Sequence, residues 1–159
     1  MGKKDEKTNV MRLLDEHGVA YEHYSYDGEG LDGAAIAALL GQDPDRVFKT
    51  LVTVGKSGVH YVFMIPVCRE LDLKKAAKAA GEKALEMLPQ KQLLPLTGYI
   101  HGGCSPIGMK KQFPTFLDES AALFETILFS AGKVGRQVEL PAEELRKLVA
   151  VQYADLCKE

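Results

Sequence analysis

Val47-Phe48-Lys49-Thr50-Leu51-Val52-Thr53-Val54, followed by Gly55-Lys56-Ser57-Gly58 and then Val59-His60-Tyr61-Val62-Phe63-Met64-Ile65, is the stretch on which the fold turns. Two β-branched and aromatic runs separated by four residues, two of them glycine, form the pattern of a β-hairpin. Strand alternation groups Lys49 with Leu51 and Thr53 on one face and Phe48, Thr50 and Val52 on the other. Lys49 is therefore a charge inside an otherwise apolar strand. By residue type alone, a stem lying on the sheet with its ammonium reaching water explains it.

Outward from the hairpin, helices and short strands alternate. Val10, Leu13 and Leu14 recur at helical spacing between a capping Thr8 and a stopping Gly18. Tyr21-Glu22-His23-Tyr24-Ser25-Tyr26 reads as a half-buried strand, and Asp27-Gly28-Glu29-Gly30 as a loop. Asp32 caps an Ala-rich helix through Leu40, and Asp43-Pro44-Asp45-Arg46 makes a short turn before the hairpin. Beyond Pro66, Asp72 caps a Lys/Ala helix that stops at Gly81. Ala84 to Leu88 reads as a strand, and Pro89 opens a helix through about Leu96. Tyr99-Ile100-His101 gives a strand-like approach to a glycine loop. Thr115-Phe116-Leu117 and Thr126-Ile127-Leu128-Phe129 are further strands, and Val138-Glu139-Leu140 is expected to be the last. Pro141 then starts a C-terminal helix with Leu145, Leu148 and Val149 inward. The pattern is that of an α+β domain with a mixed, largely antiparallel sheet.

Composition narrows the function classes. The 159 residues, 46% hydrophobic and 26% charged, suit one soluble domain with a substantial core. No apolar run approaches the length of a membrane span, and the Lys-rich start has no apolar signal core, so the expected location is the cytoplasm, away from membranes. Cys68, Cys104 and Cys157 are odd in number and widely separated, which suggests neither a disulfide framework nor, with four scattered histidines, a metal site. A net charge of -2 argues against strong unaided binding of nucleic acid. Local basic clusters exist nonetheless. Lys110 and Lys111 follow the glycine loop, and Lys133 and Arg136 flank a second glycine turn.

The glycine loop itself is Gly98-Tyr99-Ile100-His101-Gly102-Gly103-Cys104-Ser105-Pro106-Ile107-Gly108-Met109-Lys110-Lys111. Glycines allow positive φ and close approach, while Pro106 fixes its own φ and pushes Ser105 toward extended backbone. Such a loop presents N–H groups, which can hold an anion or an acyl-transfer oxyanion. No G-x-S-x-G elbow and no phosphate-binding Gly-Lys-Ser/Thr pattern is present. Cys104, three residues after His101, has no identifiable acid partner, and a small buried thiol is the simpler reading.

Gly-Gly-Cys-Ser-Pro-Ile-Gly at 102–108, with Val47 to Leu51 before it and Ser130-Ala131-Gly132-Lys133-Val134-Gly135 after it, resembles the YbaK/EbsC family of aminoacyl-tRNA deacylases. The similarity runs from about Asn9 to about Val149. It implies a single editing domain over residues 1–159, with a curled, barrel-like sheet and flanking helices. It also implies Lys49, Gly102 and Gly103 as the catalytic residues, and Tyr21, Thr50, Ser105, Ser130, Gly132 and Gln137 as substrate-binding residues, with no cofactor. The implied substrate is the 3′ end of an aminoacyl-tRNA, cysteine mischarged on proline tRNA, with prolyl-tRNA synthetase as partner. In the implied reaction the cysteine thiol attacks its own ester carbonyl, and the protein supplies orientation but no nucleophile. Two alternatives share the fold: hydrolysis of Ala-tRNA(Pro) by water, and a non-catalytic nucleotide- or partner-binding module. Some YbaK-type members carry an aspartate where this chain has the neutral Gln137, which leaves the substrate ammonium without that counter-charge.

Overall fold

The computed structural model describes residues 6–27 and 30–159, so Gly28 and Glu29 of the expected loop lie outside the described residues. Helix α1 (Asn9–Glu16) begins where the Thr8 hydroxyl accepts a bond from the Met11 amide, and buries Val10, Met11 and Leu14. Strand β1 (Glu22–Ser25) is mostly exposed. Helix α2 (Gly33–Leu39) is capped by the Asp32 carboxylate, which accepts from the Ala35 amide. The hairpin forms as β2 (Phe48–Gly55) and β3 (His60–Pro66), in register from Phe48 opposite Pro66 to Val54 opposite His60.

Helix α3 (Leu73–Ala80) is closed by Asp72 at one end and a left-handed Gly81 at the other. Strand β4 (Leu85–Met87) and helix α4 (Gln90–Thr97) follow. Then come β5 (Thr115–Asp118), β6 (Ile127–Ser130), β7 (Arg136–Leu140), α5 (Ala142–Leu145) and β8 (Val151–Ala154). Two local expectations change. Tyr99 to His101 is irregular and forms no strand, because its backbone closes turns within the loop; Gly103 N–H, for one, bonds to Ile100 O. The C-terminal helix ends at Leu145, and the chain then pairs β8 with β5, so β7 is not the last strand.

The strands form two sheets, ordered β4-β2-β3-β5-β8 and β1-β7-β6. Pairing is antiparallel except for β3 with β5 and β5 with β8, so the sheet structure is mixed and largely antiparallel as expected. The expected barrel-like closure is absent. Among the described residues one isolated bridge, Val47 with Leu128, joins the two sheets, and a barrel needs a continuous ladder. Phe48, Met64 and Leu117 from the larger sheet pack with Ile127, Phe129 and Val138 from the smaller, beneath α1. On the other face of the larger sheet, Phe63, Ile65 and Phe116 pack against Ala76 and Ala77 of α3.

A polar cluster fastens the seam beside that bridge. The Arg46 guanidinium donates to the Glu139 carboxylate of β7 and, at 2.7 Å, to the Thr126 hydroxyl. Thr126 in turn donates to Glu139 at 2.6 Å, and the Tyr24 hydroxyl donates to the other carboxylate oxygen. Partial burial opposes the charge on Glu139, yet the Thr126 and Tyr24 hydroxyls and the Arg46 charge outweigh it and hold the carboxyl below its usual range. The bond to Glu139, aided by burial, pushes the Tyr24 phenol up to about 12.

Because the Glu139 pKa is depressed on folding, its contribution to stability is present above the ordinary carboxylate range and is lost as pH falls through the folded value. Glu139→Gln is expected to destabilise the fold by about 2 kcal/mol at neutral pH, since Arg46 loses its counter-charge in a partly dry site. Denaturant melts between pH 7 and pH 3 check this: the gap between wild type and variant narrows toward acid.

Candidate active site

Beyond the Val47–Leu128 bridge the two sheets diverge, and a cavity of about 440 Å³ opens between them. Phe48, Lys49, Thr50 and Leu51 of β2 form one wall; Ser130 at the end of β6 and Gln137 of β7 form another. β4 pairs only with Thr53 to Gly55 of β2, so β4 does not cover this half of the strand. That is why residues from both faces of β2 reach the cavity. The start of α2 closes one side, with Asp32 and Ile36, and His101, Gly102 and Cys104 of the glycine loop close another.

Lys49 and the glycine bend therefore open on the same space, as do Thr50, Ser130 and Gln137. The other expected residues stand elsewhere. Ser105 is fully buried behind the loop, where its hydroxyl accepts from the Ile107 amide at 3.4 Å. Gly132 lines a second, smaller cavity. Tyr21 packs against the main core near Asp15 and is not among the residues lining the cleft; burial, then the Asp15 charge, pushes its phenol up.

The two central glycines have separate tasks. Gly102 has φ +87°, lines the cavity, and has no backbone acceptor for its amide among the described residues. Gly103 closes a turn through its amide onto Ile100 O at 3.0 Å, so that donor is already in use. A Cβ on Gly103 would lie 3.0 Å from the Val134 amide nitrogen and 3.2 Å from the Lys133 carbonyl carbon. The two glycine turns thus pack backbone against backbone. The second is shaped by Ser130, whose hydroxyl accepts from Gly132 N–H at 3.0 Å. Of the two glycines expected to position the reacting centre through main-chain groups, Gly102 lines the cavity with its amide unbonded among the described residues, while the Gly103 amide is taken up by Ile100 O and its bare Cα allows the close approach.

Two buried side-chain oxygens in the cavity, Thr50 Oγ1 and Gln137 Oε1, have no hydrogen-bond partner among the described residues. Gln137 is held by its other end, its amide nitrogen donating to the Tyr26 hydroxyl at 3.3 Å. Buried acceptors without partners are uncommon in native proteins and suit a ligand that brings donors. Asp32 adds a carboxylate that the sequence marked only as a helix cap; its place in the same cavity as the hairpin has no local signal. Burial pushes the Cys104 thiol up to about 12, so at neutral pH it stays protonated, and no bond from His101 to Cys104 occurs among the described residues. No cluster of three or more metal-binding side chains occurs among the described residues.

A lysine, a free main-chain amide and unpaired acceptors around one cavity make a site that can hold an anionic ester and polarise its carbonyl. The chain belongs to the aminoacyl-tRNA editing domain family, whose model matches residues 29–148. It is 49% identical, over 97% of its length and 95% of the relative's, to an Enterococcus faecalis protein provisionally named Cys-tRNA(Pro)/Cys-tRNA(Cys) deacylase EbsC. Among solved structures it is similar to one provisionally described as a trans-editing enzyme for prolyl tRNA synthetase, at 24% identity and a TM-score of 0.84, covering 97% of this chain and 100% of that one. The hypothetical protein APE2540 superimposes with a TM-score of 0.86 at 21% identity, covering 95% of this chain and 100% of that one.

Alanine at either glycine tests the division of labour. Gly103→Ala is expected to cost about 1–3 kcal/mol of stability through the clash with the second turn. Gly102→Ala, whose nearest neighbour would be the Val134 side chain at 3.5 Å, is expected to cost about 1–2 kcal/mol from φ alone. Chemical denaturation of both variants checks the difference.

Proposed function

We propose that residues 1–159 form one editing domain that deacylates aminoacyl-tRNA in trans, with cysteine mischarged on proline tRNA as substrate. The observation that carries this reading is that Lys49 and the Gly102 bend, 53 residues apart in sequence, face one cavity at the seam of the sheets. Family membership and the relative at 49% identity support the deacylase class.

In this reading the terminal adenosine and its ester enter between β2 and the glycine loop. The Lys49 ammonium attracts the anionic end of the RNA and the oxyanion that forms at the carbonyl, and the Gly102 amide donates to the same oxygen. Asp32, Thr50 Oγ1 and Gln137 Oε1 supply the negative and accepting groups that suit the α-ammonium; Asp32 stands in for the counter-charge that Gln137 lacks. Ser130 and Gln137 form the wall toward the smaller sheet. With Cys104 held as a thiol, the nucleophile comes from the substrate. Its sulfur bonds to its own carbonyl carbon, the ester C–O bond breaks, and the ribose oxygen leaves with the proton that the thiol gives up. The product is a cyclic thiolactone, which water later opens to cysteine. Orientation of a thiol already tethered to its target accounts for much of the rate. The modest net charge fits delivery of the tRNA beside prolyl-tRNA synthetase.

Deacylation of Cys-, Ser- and Ala-tRNA(Pro) by wild type and Lys49→Ala tests the reading. Expected are turnover of the cysteine ester, little turnover of the serine and alanine esters, and a loss of about a hundredfold in Lys49→Ala. Equal rates on alanine and cysteine esters would replace self-attack by water attack. Binding of an adenosine-terminated ligand without ester cleavage would leave a non-catalytic module.

A further inference from the structure

Behind the two packed glycine turns lies a second cavity of about 290 Å³, into which none of the proposed chemistry extends. It exists because side chains are missing. Gly98, Gly108 and Gly132 line it at positive φ, and a Cβ on Gly132 would come within 3.1 Å of both Tyr99 and Val10. Two lysines from different turns edge it: Lys110 after the first turn, lying over Gly98, and Lys133 in the second. No carboxylate is among the lining residues, and neither lysine has an acid partner among the described residues. Lys110 has only a 3.5 Å contact to Pro95 O.

The surroundings carry the same sign. Thr8 and Asn9 bring the start of α1 to the cavity, and its first turn holds no acidic residue, so the positive end of the helix is not neutralised there. Arg136, three residues beyond Lys133, is buried at 6% exposure; among the described residues its Nε is unbonded, its guanidinium has no carboxylate partner, and it donates to Met11 Sδ at 3.8 Å. A dry guanidinium without a carboxylate raises the local potential. The cavity also adjoins the reaction site. The Lys133 backbone that edges it is the backbone on which Gly103 packs, and Gly102 next to Gly103 lines the larger cavity.

We propose that the smaller cavity binds a backbone phosphate of the acceptor end, one or two nucleotides before the ester, between the Lys110 and Lys133 ammonium groups. The proposal rests on the editing reading for its choice of RNA. It accounts for a chain of net charge -2 engaging a polyanion: the few cations that matter stand on the two turns that frame the ester site, so charge attraction and ester positioning share one scaffold. A phosphate here adds binding remote from the reacting carbonyl, of equal strength before and during the reaction.

The test compares wild type with Lys110→Gln/Lys133→Gln and Lys110→Arg/Lys133→Arg, after melting curves establish that all three fold. Binding of an uncharged single-stranded acceptor-end oligonucleotide, one that carries no amino acid, is measured across a salt series. The glutamine pair is expected to weaken binding about tenfold at low salt and to flatten the slope of log K against log salt by about 0.7 for each phosphate that is no longer neutralised. The arginine pair is expected to restore both. On aminoacyl-tRNA the glutamine pair is expected to raise KM with kcat unchanged, and on an aminoacyl-adenosine without upstream phosphates to match wild type. Unchanged affinity and slope in the glutamine pair would overturn the proposal, as would full displacement of the oligonucleotide by millimolar inorganic phosphate, which would make this a site for the free anion. A wild type that binds the oligonucleotide through both lysines yet cleaves no aminoacyl ester would remove the editing reading and leave the phosphate site standing.

Discussion

The Arg46–Glu139 ion pair, with Thr126 and Tyr24 bonded to the same carboxylate, holds the two sheets together at the point from which they separate. Together with the core packed between the sheets, this seam sets how β2 lies against the β6–β7 pair beside the cleft. A closed barrel would have filled this space with ladder hydrogen bonds. Instead, pairing between the sheets stops after Val47 and Leu128 among the described residues, and a cavity lined by both sheets lies beside that bridge.

Each wall of the gap brings a different chemical resource. The strand contributes a cation and a hydroxyl, the loop a main-chain amide, the helix start a carboxylate, and the smaller sheet an amide oxygen, the hydroxyl and this oxygen without partners among the described residues. None of these is a strong nucleophile. The thiol that could be one is buried and kept protonated, which suits the proposed reaction, in which the substrate brings the attacking group. The same two turns that frame this site also frame the smaller lysine-edged cavity, so the two cavities lie to either side of one backbone contact.

Much of the fold was legible locally. The hairpin, the caps at Thr8, Asp32 and Asp72, and the glycine stops follow from hydrogen bonds that close within a few residues, and they stand where the residue pattern placed them. Strand β8 was not legible: Val151–Ala154 is short, and what makes it a strand is parallel pairing to β5, more than thirty residues away. Gly102 and Gly103 look alike in sequence. A local turn to Ile100 O takes up the Gly103 amide, and only the packing of a second turn, thirty residues later, makes Gly103 a close contact while Gly102 stays open to the cavity. Asp32 read as a cap and nothing more, since its place in the cavity depends on how α2 sits against β2.

What the sequence determined alone is the run of elements from α1 to β7, the register of Lys49 within its strand, and the presence of two bends poor in side chains. These depend on propensity, periodicity and turn chemistry, which act between neighbours. The tertiary structure decided that the sheets stay open, that Lys49 and Gly102 share a cavity while Tyr21 and Gly132 lie outside it, and that a second cationic cavity backs the first. The reason is that strand pairing and backbone packing join residues tens of positions apart, and no short-range pattern encodes which distant edge a strand will meet.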